Sequence, residues 1–129
     1  MKNKQERSWV NYMKKASFNI VRYKPIAMIG SDNIDDYEVI KVDGYVTEDG
    51  IYGVNKTDYG WCITDLYSGG SITTLKRKQD CCIYLAKTKI PFERIQKWRE
   101  FGHKILEKHY EENISKRGED VTERYYLGE

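Results

Sequence analysis

The chain has 129 residues, 40% of them hydrophobic and 13% aromatic, with a mean hydropathy of −0.76 and a net charge of +2. A chain of this length reads as one domain and buries roughly two thirds of its unfolded surface, enough for a core without disulfide or metal staples. The composition excludes a disordered chain, and no apolar run approaches the roughly 20 residues of a membrane helix.

Charge is unevenly placed. Residues 1–29 carry seven Lys/Arg against one acid, residues 30–69 two against nine, residues 71–110 ten against four, and residues 111–129 three against six. The blocks are therefore +6, −7, +6 and −3. Such alternation either neutralises itself on folding or leaves one acidic and one basic side. The basic start MKNKQERSWVNYMKK holds no secretory apolar core, and Cys62, Cys81 and Cys82 are an odd number of thiols without a CxxC. These features predict free thiols in a reducing cytosol. Alanine is scarce while Lys, Ile, Tyr and Asn are common, which fits a low-GC bacterial or phage genome.

The chain reads as a single domain, 1–129, with neither repeat nor linker. Residues 3–15 space Trp9, Tyr12 and Met13 as one side of a short helix. ASFNIVRYKPIAMIG reads as a strand interrupted near Pro25, and SDNIDD as a loop. YEVIKVDGYVT is a second strand, and Asp49-Gly50 is a turn signal because it tolerates the positive φ of tight hairpins. IYGVNKT returns, Asp58 to Gly60 turns, WCITDLY runs out, SGG turns and SITTL comes back. Short connections make this an antiparallel meander of four to five strands over about 17–75. Trp61, Ile63 and Asp65 share one face of their strand, and Cys62, Thr64 and Leu66 the other, neither cleanly apolar.

The period then changes to helical. A short helix is predicted over about 76–88, with Thr74 as N-cap. Cys82, Leu85 and Ala86 share one of its faces, and the adjacent Cys81 and Cys82 are not both expected to face the core. Pro91 suits the first position of a long amphipathic helix over about 91–117, with Ile95, Trp98, Phe101, Ile105 and Tyr110 as its apolar stripe. A tail, 118–129, follows. The fold class is α+β: a small antiparallel meander with a short helix, and a long C-terminal helix packed on one face.

Candidate chemistry is sparse, and no catalytic residue, metal ligand set or cofactor is predicted. His103 and His109 lie six apart, roughly 240° around a helix, and do not converge. SDNIDDYE gathers acids, but it lacks the glycine and terminal glutamate of a calcium loop. The glycines match no phosphate-binding motif. Two surfaces remain. Asp32, Asp35, Asp36, Asp43, Glu48, Asp49 and Asp58, with Tyr37, Tyr45, Tyr52 and Tyr59, predict an acidic face able to dock on a basic groove of a protein. Reversing Asp35, Asp36, Glu48 and Asp49 to lysine is expected to abolish such docking. Lys76, Arg77, Lys78, Arg94, Lys97, Arg99, Lys104 and Lys108 are the alternative, a basic helical region over 75–108 that touches nucleic acid as a small regulator does. A third possibility is an interaction module that oligomerises through its tyrosines.

GWCITDLYSGGSITTLKRKQDC, carried by Trp61, Thr64, Asp65, Ser68 and Gly69, resembles a hairpin-to-helix pattern of small accessory proteins from Gram-positive phages and mobile elements. Cys81 or Cys82 stands where that pattern has alanine. The resemblance implies a non-enzymatic module of the anti-CRISPR type. Such a module acts in the bacterial host cytosol by stoichiometric binding to a defence complex such as an RNA-guided nuclease. It transfers no functional residue, and neither a membrane nor a small-molecule substrate is expected.

Overall fold

A computed structural model describes residues 13–25, 30, 32–117 and 125–127. Its strands are β1 (Met13–Tyr23), β2 (Tyr37–Thr47), β3 (Tyr52–Thr57), β4 (Gly60–Asp65), β5 (Gly70–Leu75) and β6 (Tyr125–Leu127). Its helices are α1 (Lys78–Lys87) and α2 (Gln96–Arg117), with short 3₁₀ turns at Ile34–Asp36 and Phe92–Ile95. The strand order is β5-β4-β3-β2-β1-β6, an antiparallel meander to which β6 is added beside β1. Among the described residues no helix is long and apolar enough to cross a membrane.

Local chemistry accounts for the turns. After β2, Asp49 Oδ1 accepts from Thr47 Oγ1 (2.6 Å) and Ile51 N (3.0 Å), and Gly50 takes a φ of 74°. After β3, Thr57 Oγ1 accepts from Tyr59 N at 3.1 Å and Gly60 has a φ of 135°. After β4, Gly69 has a φ of 74°. β1 and β2 pair over all eleven residues, from Met13↔Thr47 to Tyr23↔Tyr37. That register corrects the helix expected over 3–15 at its end: Met13, Lys14 and Lys15 are strand, because pairing with Thr47, Val46 and Tyr45 outweighs their helical spacing. Residues 3–12 lie outside those described.

The sheet curls. Two strands, β2 and β3, lie between β1 and the β4–β5 hairpin, yet Val21 N donates to Gly69 O at 2.8 Å. One face carries Met13, Val54 and Ile63, covered by Cys81 and Cys82 of α1. The other carries Ala16, Phe18, Val46 and Leu66, closed by the curl itself. There the Phe18 ring rests on Gly53, where a Cβ would fall 2.6 Å from a ring carbon. Each such buried side chain contributes about 1.5–3 kcal/mol.

The helices differ in detail from the sequence expectation. α1 starts after Arg77, not at Thr74, which stays in β5 opposite Cys62. The Asp80 carboxylate accepts from Arg77 N at 3.2 Å and closes that end. Cys81 and Cys82 are both buried, at 0% and 4% exposure. Their directions, about 100° apart, straddle the line of contact with the sheet, and so short a side chain is covered on either side of it. Pro91 precedes the 3₁₀ turn at Phe92, so α2 begins five residues later than expected, at Gln96. α2 buries Ile105, Leu106 and Tyr110 against the sheet, whereas Trp98 is 40% exposed and lies over Gly70.

Candidate functional site

The hairpin that carries the resemblance is a clasp for α2. Asp65 is fully buried and its Oδ2 accepts from Ser68 Oγ (2.7 Å) and Arg99 Nε (3.0 Å); Oδ1 accepts from Arg99 Nη2 at 3.3 Å. Ser68 Oγ in turn accepts from Gly70 N at 3.1 Å, and Gly69 N donates to Asp65 O at 2.7 Å. The Arg99 guanidinium lies 4.2 Å from the centre of the Phe92 ring and 4.6 Å from that of Tyr67. Tyr67 stacks on His103 at 4.1 Å, and His103 Nδ1 sits 3.0 Å from Tyr67 O. Gly102 gives α2 room to approach this turn, since a Cβ there would strike Ser68 O. A buried carboxylate needs such a partner, so Asp65 and Arg99 hold each other and the helix in place.

The basic residues are dispersed by this arrangement. Arg99 is the clasp rather than part of an open basic surface, with its side chain only 17% exposed. Arg77 pairs with Asp80 (Nη2 to Oδ1, 2.9 Å) and holds its carboxyl below the usual carboxylate range. Lys78 Nζ lies 3.3 Å from the centre of the Tyr45 ring. Lys108 pairs with Asp35 at 3.0 Å, which raises the lysine's pKa. Lys76 is exposed before α1, Arg94 is exposed in the 3₁₀ turn, and Lys97 and Lys104 point outward from α2.

The acids fall into separate groups. Asp32, Asp35 and Asp36 sit by the turn before β2. There Tyr37 packs on Tyr23 (4.7 Å) and Phe101 (5.2 Å), and burial with the Tyr23 hydrogen bond pushes its phenol up to about 12. Glu48 and Asp49 sit at the far end of β2, roughly 33 Å away for ten strand steps of about 3.3 Å. Asp43 lies between them and accepts from Ser17 Oγ at 2.6 Å. Asp58 is in the β3–β4 turn beside Tyr59, which is 93% exposed.

Glu48 and Asp49 border an open hollow of the described surface. It encloses about 460 Å³ and is lined by Met13, Thr47, Glu48, Asp49, Tyr52, Cys82 and Leu85. Its floor is apolar, and burial raises the pKa of both Tyr52 and Cys82. Sequence reasoning named Glu48, Asp49 and Tyr52 but not Met13, Cys82 or Leu85 as their neighbours. Three elements distant in the chain meet here, and only the Asp-Gly turn signals the place. Among the described residues no group of three or more His, Cys, Asp or Glu is placed to hold a metal. Compared with known proteins, the chain matches no family model, no curated protein and no solved structure.

Proposed function

We propose that this protein is a non-enzymatic binding protein of a phage or mobile element. It inhibits a host defence complex in the bacterial cytosol by stoichiometric attachment, and an RNA-guided nuclease is the partner that its hairpin resemblance implies. The observation that supports the docking surface is the acid-rimmed apolar recess at the β2–β3 turn. A recess of that kind accepts an apolar anchor from a partner, while Glu48 and Asp49 face the basic side chains around it. Nucleases of this class hold nucleic acid in positively charged channels, so an acidic protein surface competes for the place of phosphates.

The acids at the other end of β2 do not share this role. They lie several Debye lengths away, about 8 Å each at physiological salt, and Asp35 is already paired with Lys108. The reading is tested by titrating the protein into a target-DNA cleavage reaction of an RNA-guided nuclease. Inhibition is expected to reach its end point at one equivalent. Glu48→Lys is expected to slow association about tenfold, because a rim charge acts mainly on the on-rate. Asp32→Lys, also exposed, is expected to behave as wild type. Inhibition that survives Glu48→Lys and fails with Asp32→Lys would move the docking surface to the other end of β2.

A further inference from the structure

Among the described residues β2 and β3 pair at Tyr45↔Val54 and Val46↔Gly53, and Gly44 still lies against Val54 O and Asn55 before the ladder ends. Beyond that point the sheet opens into a cleft of about 420 Å³ lined by Lys15, Ser17, Asp43, Tyr45, Lys56 and Trp61. Strand register sets Lys15 opposite Tyr45 and Lys56 opposite Trp61, so each aromatic has a lysine beside it. The two rings are 6.3 Å apart at 43°, and both are partly exposed. Lys15 and Lys56 are exposed and have no ion-pair partner among the described residues. Two lysines against Asp43 leave the lining at +1, and Lys78, lying over the Tyr45 ring, raises this to +2.

We infer that this cleft is a contact site for single-stranded nucleic acid. An unpaired base and its phosphates require an aromatic face flanked by cations: Trp61 supplies the ring, since Lys78 already covers a face of Tyr45, and the lysines take the backbone charge. Duplex is disfavoured because its bases are already stacked inside the helix. The site shares Lys78 with the basic helical region but is otherwise built on the sheet, without Lys97 or Lys104. It is also independent of the protein-docking reading, since it involves neither Glu48 nor the recess.

The test is fluorescence anisotropy with a labelled short oligothymidine and a matched duplex, at about 50 and 200 mM salt. Single strands release roughly 0.7 counterion per phosphate contact, so Lys15, Lys56 and Lys78 together give a log–log slope of about −2 and a loss of about 20-fold over that range. Lys15→Gln/Lys56→Gln is expected to flatten the loss to about threefold and weaken binding at the lower salt, while Lys97→Gln/Lys104→Gln matches wild type. Both pairs are exposed, and circular dichroism checks that each variant folds. Absence of single-strand binding at about 50 mM salt overturns the inference. So does equal affinity for duplex, or loss through the helix pair in place of the sheet pair.

Discussion

Replacing Arg99 by alanine is the sharpest test of the clasp. Asp65 is completely buried, and among the described residues its oxygens accept from the Ser68 and Arg99 side chains. Removing the guanidinium leaves a buried carboxylate with one hydroxyl partner, which costs about 3–5 kcal/mol when a buried pair loses one member. It also empties the space between Phe92 and Tyr67, where each ring contact contributes about 0.5–1 kcal/mol. Domains of this size are stable by about 5–15 kcal/mol, so the loss is a large fraction of the whole. In urea, with a slope of about 1–3 kcal/mol/M, the unfolding midpoint is expected to fall by about 2 M. Arg99→Met combined with Asp65→Asn removes both charges and is expected to recover most of the loss. A double-mutant cycle on the two positions gives the coupling. An Arg99→Ala cost below about 1 kcal/mol, the value of an exposed ion pair, would refute the assignment.

Two further outcomes follow from packing and burial. Gly102→Ala in an ordinary exposed helix gains up to about 1 kcal/mol, but here the new methyl meets Ser68 O and lies 2.8 Å from Ser68 Cβ. A loss of about 1–3 kcal/mol is expected, and a rise in Tm would show that α2 does not approach the turn so closely. Burial pushes the Cys81 thiol from 9.0 up to about 12. Its folded value lies above the unfolded one, so the thiol favours folding below pH of about 9, and that contribution is lost as pH rises toward about 12. Native protein near neutral pH is expected to be alkylated by iodoacetamide at half-buried Cys62 before Cys81. Equal labelling rates, read by mass spectrometry, would contradict the buried position.

Much of the sheet was legible because its signals are local. The second strand, YEVIKVDGYVT, coincides with Tyr37–Thr47, bounded by an asparagine-capped 3₁₀ turn and an Asp-Gly turn. The faces of β4 were less legible. Thr64 and Asp65 are both buried, because α2 covers one side of the curled sheet and the curl closes the other. Alternation carries no trace of a sheet covered twice. Arg99 read as one more surface cation, since its partner is 34 positions away and became evident only when the turn and helix met. Leu106, among the most buried residues, was missed for a related reason. Gly102 and Gly69 let α2 sit close enough to widen its buried face beyond the expected stripe. The acids were found by composition, but their division between two ends of β2 is set by topology.

The central claim, docking through the acid-rimmed recess, is tested most directly by a pull-down from a CRISPR-bearing bacterial lysate with and without nuclease treatment. Wild type, Glu48→Lys and Lys15→Gln/Lys56→Gln serve as baits. The account predicts a stoichiometric RNA-guided nuclease that survives digestion, is retained in full by Lys15→Gln/Lys56→Gln and is recovered in reduced amount with Glu48→Lys. Recovery of nucleic acid alone, with everything else lost on digestion, would contradict it.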